Sequence, residues 1–259
     1  MRSPVLSAPL LLATLLTQPA AADGIRPYLR ATLGLDWSGS TAFHDVDCSA
    51  VDPYALFGCA DGEDGKPIEA RGDFGSSTLL GLGAGLAFTP WLRAEASLDI
   101  RPNLAFEGNA NFQRAGRDQP VSGTLSQADV MAFAYLDPLA AMGVESRWQP
   151  FLGLGAGISR NEIDRMTYRF PELTQPRYSV MPGGTQYDFA WAVAAGIGYR
   201  VNDAITLELG YRYSDLGSVK TDVGQLYNVT SRGARNIPIA GTEADLVTQS
   251  VTVSARFGL

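Results

Sequence analysis

From residue 29 onward the chain alternates apolar and polar side chains with a period of two, in eight separate stretches. Leu29, Ala31, Leu33, Leu35 and Trp37 alternate with Arg30, Thr32, Gly34 and Asp36. Successive side chains of a strand point to opposite faces, so this stretch predicts a strand with one apolar and one polar face. Residues 78–88 repeat the pattern, with leucines against Gly81, Gly83 and Gly85, and Pro90-Trp91 marks a short turn. Next, Leu92, Ala94, Ala96, Leu98 and Ile100 oppose Arg93, Glu95, Ser97, Asp99 and Arg101. A fourth strand is expected over about 128–136, although Met131, Phe133 and Tyr135 stand where its polar face should be. Four more follow: residues 150–159 with glycines at 153, 155 and 157, then 189–200, 205–214 and 247–259.

The connections alternate as well. Long polar segments (38–76, 103–126, 160–186 and 215–245) take turns with short links at 89–91, 137–149 and 201–204. Transmembrane β-barrels show this asymmetry, with short periplasmic turns and longer extracellular loops. A soluble barrel also alternates, but places its apolar face inward. Here the other face carries glycine, serine, threonine and charges of both signs, which suit the crowded interior of a narrow barrel. Aromatic residues cluster at the strand ends: Trp91, Trp148, Tyr199 and Phe257 at one, Trp37, Phe189, Trp191, Tyr211 and Tyr213 at the other. Such girdles sit at headgroup level. The expected fold is all-β: a transmembrane eight-stranded antiparallel up-and-down β-barrel with four long extracellular loops.

The N-terminus adds a destination. Arg2, an apolar stretch from Val5 to Leu16, and Ala20-Ala21-Ala22 form a signal peptide over residues 1–22, with cleavage expected before Asp23. The barrel then occupies 23–259, and the expected location is the outer membrane of a Gram-negative cell. Beyond the leader no run of 18 apolar residues exists, although 46% of the chain is hydrophobic. The formal charge of −7 becomes −8 once Arg2 is removed, which argues against nucleic acid as a partner. Cys48 and Cys59 lie in a polar, acidic stretch, and in an oxidising periplasm they are expected to form a disulfide.

Leu207-Glu208-Leu209-Gly210-Tyr211-Arg212-Tyr213-Ser214-Asp215-Leu216-Gly217 resembles the seventh strand of the opacity-protein and related surface-antigen families, among the OmpA-like small barrels. Pro150 to Gly157, Phe189 to Ala192 and Gly196 to Arg200 resemble other strands of that group, and the chain ends on Phe257-Gly258-Leu259. The resemblance implies an eight-stranded barrel inserted by the outer-membrane assembly machinery, which reads the last strand. Such strands usually end on an aromatic residue; here Leu259 holds that outward position.

Candidate chemistry lies on two surfaces. The lumen face carries six arginines (Arg30, Arg93, Arg101, Arg200, Arg212 and Arg256) and five acids (Asp36, Glu95, Asp99, Asp129 and Glu208). Unpaired buried charge costs several kcal/mol per ion, so the near balance predicts a salt-bridge network. That network is either a polar plug or a narrow ion path. The second surface is the first long loop, with eight acids between Asp45 and Asp73 against Lys66 and Arg71. It is either a solvated loop or a patch for divalent cations, a basic partner or neighbouring lipopolysaccharide.

No catalytic residue, cofactor or metal site is expected. The single histidine, His44, sits beside Asp45 in that loop, away from the rigid strands that a lipid A deacylase would use to position serine and histidine. Arg71-Gly72-Asp73 and Asn228-Val229-Thr230 are chance-frequency tripeptides, and the glycine runs lack dinucleotide spacing. The leading expectation is a non-enzymatic surface protein. It would serve envelope structure, or adhesion and recognition of a host or surface ligand through its loops, in contact with outer-membrane lipids and lipopolysaccharide. A small porin and a lipid A-modifying barrel are the rivals. No periplasmic domain is expected after Leu259, and with it no tethering through such a domain.

Overall fold

The computed structural model describes residues 24–173, 177–230 and 232–259; the leader expected at 1–22 lies outside them. Fourteen strands appear in order: β1 (Arg26–Ser38), β2 (Ser40–Asp45), β3 (Ala70–Asp73), β4 (Ser76–Ala87), β5 (Leu92–Ala110), β6 (Pro120–Leu136), β7 (Trp148–Ile163), β8 (Met166–Phe170), β9 (Arg177–Met181), β10 (Gly184–Arg200), β11 (Ile205–Lys220), β12 (Gly224–Thr230), β13 (Gly233–Ile239) and β14 (Thr242–Gly258). One short helix, α1 (Pro138–Ala141), lies between β6 and β7 and is capped by the Asp137 carboxylate, which accepts from Leu139 N and Ala140 N.

Eight of these strands close a ring, each antiparallel to the next: β1, β4, β5, β6, β7, β10, β11, β14 and back to β1. The expected eight-stranded barrel is therefore present. Its parity is the expected one too: Leu35 is 67% exposed on the outside, while its neighbour Asp36 is 0% exposed inside. Tight turns join strands at the end expected to face the periplasm. Asn202 Oδ1 accepts from Ala204 N and Ile205 N, and Thr89 Oγ1 from Trp91 N and Leu92 N. The aromatic residues expected at the two interfaces face outward, Trp148 packing beside Tyr199 and Trp191 beside Tyr213.

The fourth strand differs from a simple two-faced strand for a packing reason. Met131, Phe133 and Tyr135 point into the lumen, and each lies opposite a glycine of β7: Gly157, Gly155 and Gly153. A Cβ at Gly155 would stand 2.5 Å from the Phe133 ring, and one at Gly153 2.5 Å from Tyr135. The glycine row is the floor on which the large side chains lie. Gly155→Leu should therefore cost about 1–3 kcal/mol through overpacking. Adding Phe133→Ala should return part of that loss, a coupling that urea unfolding of the four members of the cycle in lipid vesicles would measure.

The long connections are not loops throughout. At the other end, expected to be extracellular, β5, β6, β7, β11 and β14 run past the expected strand ends, and six short strands extend the wall. β2 and β3 bridge β14 to β5, while β8, β9, β12 and β13 form a ribbon leading off β6. Register breaks mark the transition, between Arg101 and Leu104 on β5 and between Asp215 and Ser218 on β11, where Gly217 takes φ +72°. Below the β5 break the inward residues are Arg93 to Arg101, charged or polar; above it they are Leu104, Phe106 and Ala110, with Glu107 outside. A β-bulge inserts a residue and so exchanges the faces. The wall thus changes from a lipid-facing pattern to a water-facing one. Inside this upper part Phe43, Phe74, Leu104 and Phe106 are fully buried, with Phe106 in edge contact with Phe43 at 5.0 Å and Phe74 at 5.3 Å.

The four connections also hold one another in a ring. Loop 1 meets loop 2 where the Asn111 amide donates to Asp64 and Arg114 N to Glu63. Loop 2 meets loop 3 where Arg117 N and Asp118 N donate to Glu172. Loop 3 pairs with loop 4 through β9 and β12, and loop 4 returns to loop 1 where Ala240 N donates to Tyr54 O at 2.8 Å.

Candidate functional site

The lumen charges gather into two layers because inward positions on neighbouring strands fall at matching heights. In the periplasmic layer Arg93 Nη1 and Arg256 Nε both donate to Glu208 Oε1, at 2.7 and 3.0 Å. Arg30 lies 2.6 Å from Glu95, donates to the Tyr135 hydroxyl at 2.8 Å, and reaches toward Glu208 at 3.6 Å. In the extracellular layer Arg101 bridges Asp36 at 2.5 Å and Asp129 at 2.7 Å, and Gln127 accepts from the same guanidinium. Arg212 pairs with Asp99 at 2.6 Å. Ten of the eleven expected lumen charges are thus brought together.

Arg200 is the correction. Its parity is inward, but it is the last residue of β10, exposed at the periplasmic rim, and no ion pair holds it among the described residues. Alternation reports the face of a strand; it does not report height.

The network also recruits groups that alternation alone passes over. Tyr28, Tyr135 and Phe151 surround the Arg93 guanidinium, Phe133 lies under Arg212, and Gln149 accepts from Arg256 at 2.8 Å. Guanidiniums stack well on aromatic faces, so rings and charges fill the lumen together. The available signal was the strand with large residues on both faces next to a glycine-rich one.

At the level of the extracellular layer Asp36, Arg101, Asp129, Ser159, Ser214 and Ser250 are at most 2% exposed. A continuous water path would expose such inward groups, so the lumen is closed there. It is closed again above by the phenylalanine core. Loop 1 contributes to this second closure: the buried Asp45 carboxylate accepts from Leu56 N, Phe57 N and Gly58 N, which folds Phe57 inward onto Phe112 at 5.4 Å. Cys48 and Cys59 are bonded within this turn, as expected, with Cα atoms 4.9 Å apart. Behind Phe57, burial pushes the Tyr168 phenol well above its usual range.

The other loop 1 acids are largely engaged locally. The Asn111 side-chain amide, and then Lys66 N, hold the Asp64 carboxyl below the usual carboxylate range, and the Ser49 hydroxyl does the same for Asp47. Asp73 accepts from Gly75 N and Glu69 pairs with Arg71, so the Arg-Gly-Asp tripeptide lies within the sheeted wall. Among the described residues no group of three or more His, Cys, Asp or Glu side chains is arranged to hold a metal ion. His44 faces outward; its polar neighbours are the Ala42 carbonyl and Glu243 at 3.7 Å.

The match to a family model agrees with this architecture. Residues 8–257 match the family described as outer membrane protein beta-barrel domain. An uncharacterised protein of Brucella abortus (strain 2308) is 29% identical over 213 residues, covering 76% of this chain and 69% of its own length. Among solved structures, Neisserial surface protein A is 14% identical, covering 91% of this chain and 99% of its own, with a TM-score of 0.44. The outer membrane protease OmpT of Escherichia coli is 10% identical, covering 90% and 97%, with a TM-score of 0.47.

Proposed function

Because the chain belongs to the outer membrane protein beta-barrel domain family, and so is an outer-membrane barrel, we propose that it acts there as a closed, non-enzymatic surface protein. Its role is to support the envelope or to present its extracellular wall for adhesion and recognition. The observation that carries this reading is the double closure of the lumen, by the Arg101 layer and by the Phe43–Phe74–Phe106 core above it. A barrel that invests its interior in ion pairs and packed rings leaves its outer surfaces for function. Lipids and lipopolysaccharide contact the apolar belt, the assembly machinery reads β14, and a host or surface ligand meets the extracellular rim.

The purified protein in planar bilayers is therefore expected to give no stable stepwise conductance. Openings of uniform size would overturn the closed-barrel reading in favour of a small porin. Lipid A from cells with and without the gene is expected to have the same mass spectrum. A gene-dependent loss or gain of an acyl chain would replace the surface role with an enzymatic one.

A further inference from the structure

The periplasmic end of the lumen opens into a cavity of 780 Å³. Its floor is the periplasmic charge layer, where Arg93 and Arg256 line the wall and share one oxygen of Glu208. Counting Arg30 and Glu95 just behind them, three guanidiniums face two carboxylates. The extracellular layer has the opposite excess, two guanidiniums (Arg101 and Arg212) against three carboxylates (Asp36, Asp99 and Asp129). The lumen is neutral overall, with its positive pole turned to the cavity.

Arg93 is only 9% exposed, and its Nη2 has no hydrogen-bond partner in the protein. The ring of Tyr135 lies 4.7 Å from its guanidinium carbon and that of Phe151 5.4 Å, which fixes the orientation of the fork. Arg256, on the same cavity wall, gives its Nε to Glu208 and its Nη2 to Gln149 and makes no hydrogen bond within the described protein through Nη1, whereas the Tyr28 hydroxyl is buried beside Glu95. On the rim, Arg26 and Arg200 stand with Asp137, Glu145 and Asp203, and Asp137 is committed to capping α1. Those rim groups are more exposed and hence screened by salt; the buried floor is screened much less.

We infer that this vestibule binds a small oxyanion, a phosphate or phosphodiester group, seated on the Arg256 guanidinium with the charge of Arg93 beside it. A guanidinium fork matches the oxygens of such a group and donates to them as a charge-assisted pair. Removing a net positive charge from an enclosed floor also recovers part of the cost of leaving it unpaired. Two sources on the periplasmic side offer this chemistry. One is free phosphate. The other is the head of an anionic phospholipid in the inner leaflet, entering past Trp91 and Trp148 at the cavity mouth.

The test uses the full barrel. In uncharged detergent, inorganic phosphate is titrated in while its phosphorus resonance is followed. In a second arm, nanodiscs of phosphatidylcholine with and without phosphatidylglycerol are examined in the same way. Saturable broadening is expected in at least one arm, weakened about tenfold by Arg93→Lys, which keeps the charge but loses the fork. Arg256→Lys, at the open side of the floor, should weaken it at least as much. A response in the first arm assigns free phosphate, and one confined to phosphatidylglycerol discs assigns the lipid head. No saturable response in either arm, or a response equal in wild type and both variants, overturns the site. If Arg93→Lys does not refold, Arg256→Lys decides, and an unchanged affinity in that variant overturns it as well.

Discussion

Arg101→Ala is expected to destabilise the barrel by about 3–5 kcal/mol, the cost of breaking a buried pair by removing one partner. The Arg101, Asp36 and Asp129 side chains are all 0% exposed, and the one guanidinium serves both carboxylates and Gln127. Without it two carboxylates face each other across the lumen with no water to solvate them. The readout is unfolding by urea in lipid vesicles, followed by the difference in gel mobility between unboiled and boiled samples. A triple variant, Arg101→Met with Asp36→Asn and Asp129→Asn, should recover much of the loss, because replacing a whole buried ion cluster by neutral groups is often close to neutral. A single variant as stable as wild type would show that Arg101 is not the hub of the layer.

Phe106→Ala is expected to cost a similar amount, about 3–5 kcal/mol, for a different reason: it leaves a cavity among packed rings. Phe106 is fully buried against Phe43 and Phe74, on the extracellular side of the β5 register break. The loss should therefore be spatially confined. Unboiled samples should still run as a compact band, since the ring of eight strands and its ion pairs are untouched, while proteases added to intact cells should cut the extracellular wall faster than in wild type. Uniform loss of the compact band would mean that the two halves of the lumen fold as one unit. Conductance should remain absent, because the Arg101 layer still closes the pore.

Much of the barrel was legible in the chain because one rule, alternation, operates with the same sense along most of the membrane-spanning strands. The pairing of Leu33 with Leu80 and Val253, or of Ala96 with Ala84 and Ala132, follows from keeping apolar residues on one face. The extracellular extension was not legible, for two physical reasons. Breaks such as that between Arg101 and Leu104 shift the parity, so a reading with a fixed period stops at Arg101 although the strand continues to Ala110. Above the breaks the environment also changes, so that outward Glu107, Glu243 and Asp245 give segments the polar look of loops. The lumen network was readable as a set of charges. Its division into two layers of opposite excess depends on strand stagger, and so does the position of Arg200 at the rim. The rings around Arg93 required knowing which glycines stand opposite Phe133 and Tyr135.

The closed ring of contacts among the four extracellular connections has an immunological consequence. Glu63 lies against Arg114, Glu172 against Arg117, and Tyr178 near Tyr227, so neighbouring patches of this surface come from distant parts of the chain. An antibody raised against intact cells would bind side chains from two or three connections at once, and would lose its target when the protein is boiled. A linear peptide copied from any one connection would raise antibodies that stain the denatured band and bind living cells weakly. Only the refolded barrel would carry the surface that intact cells display.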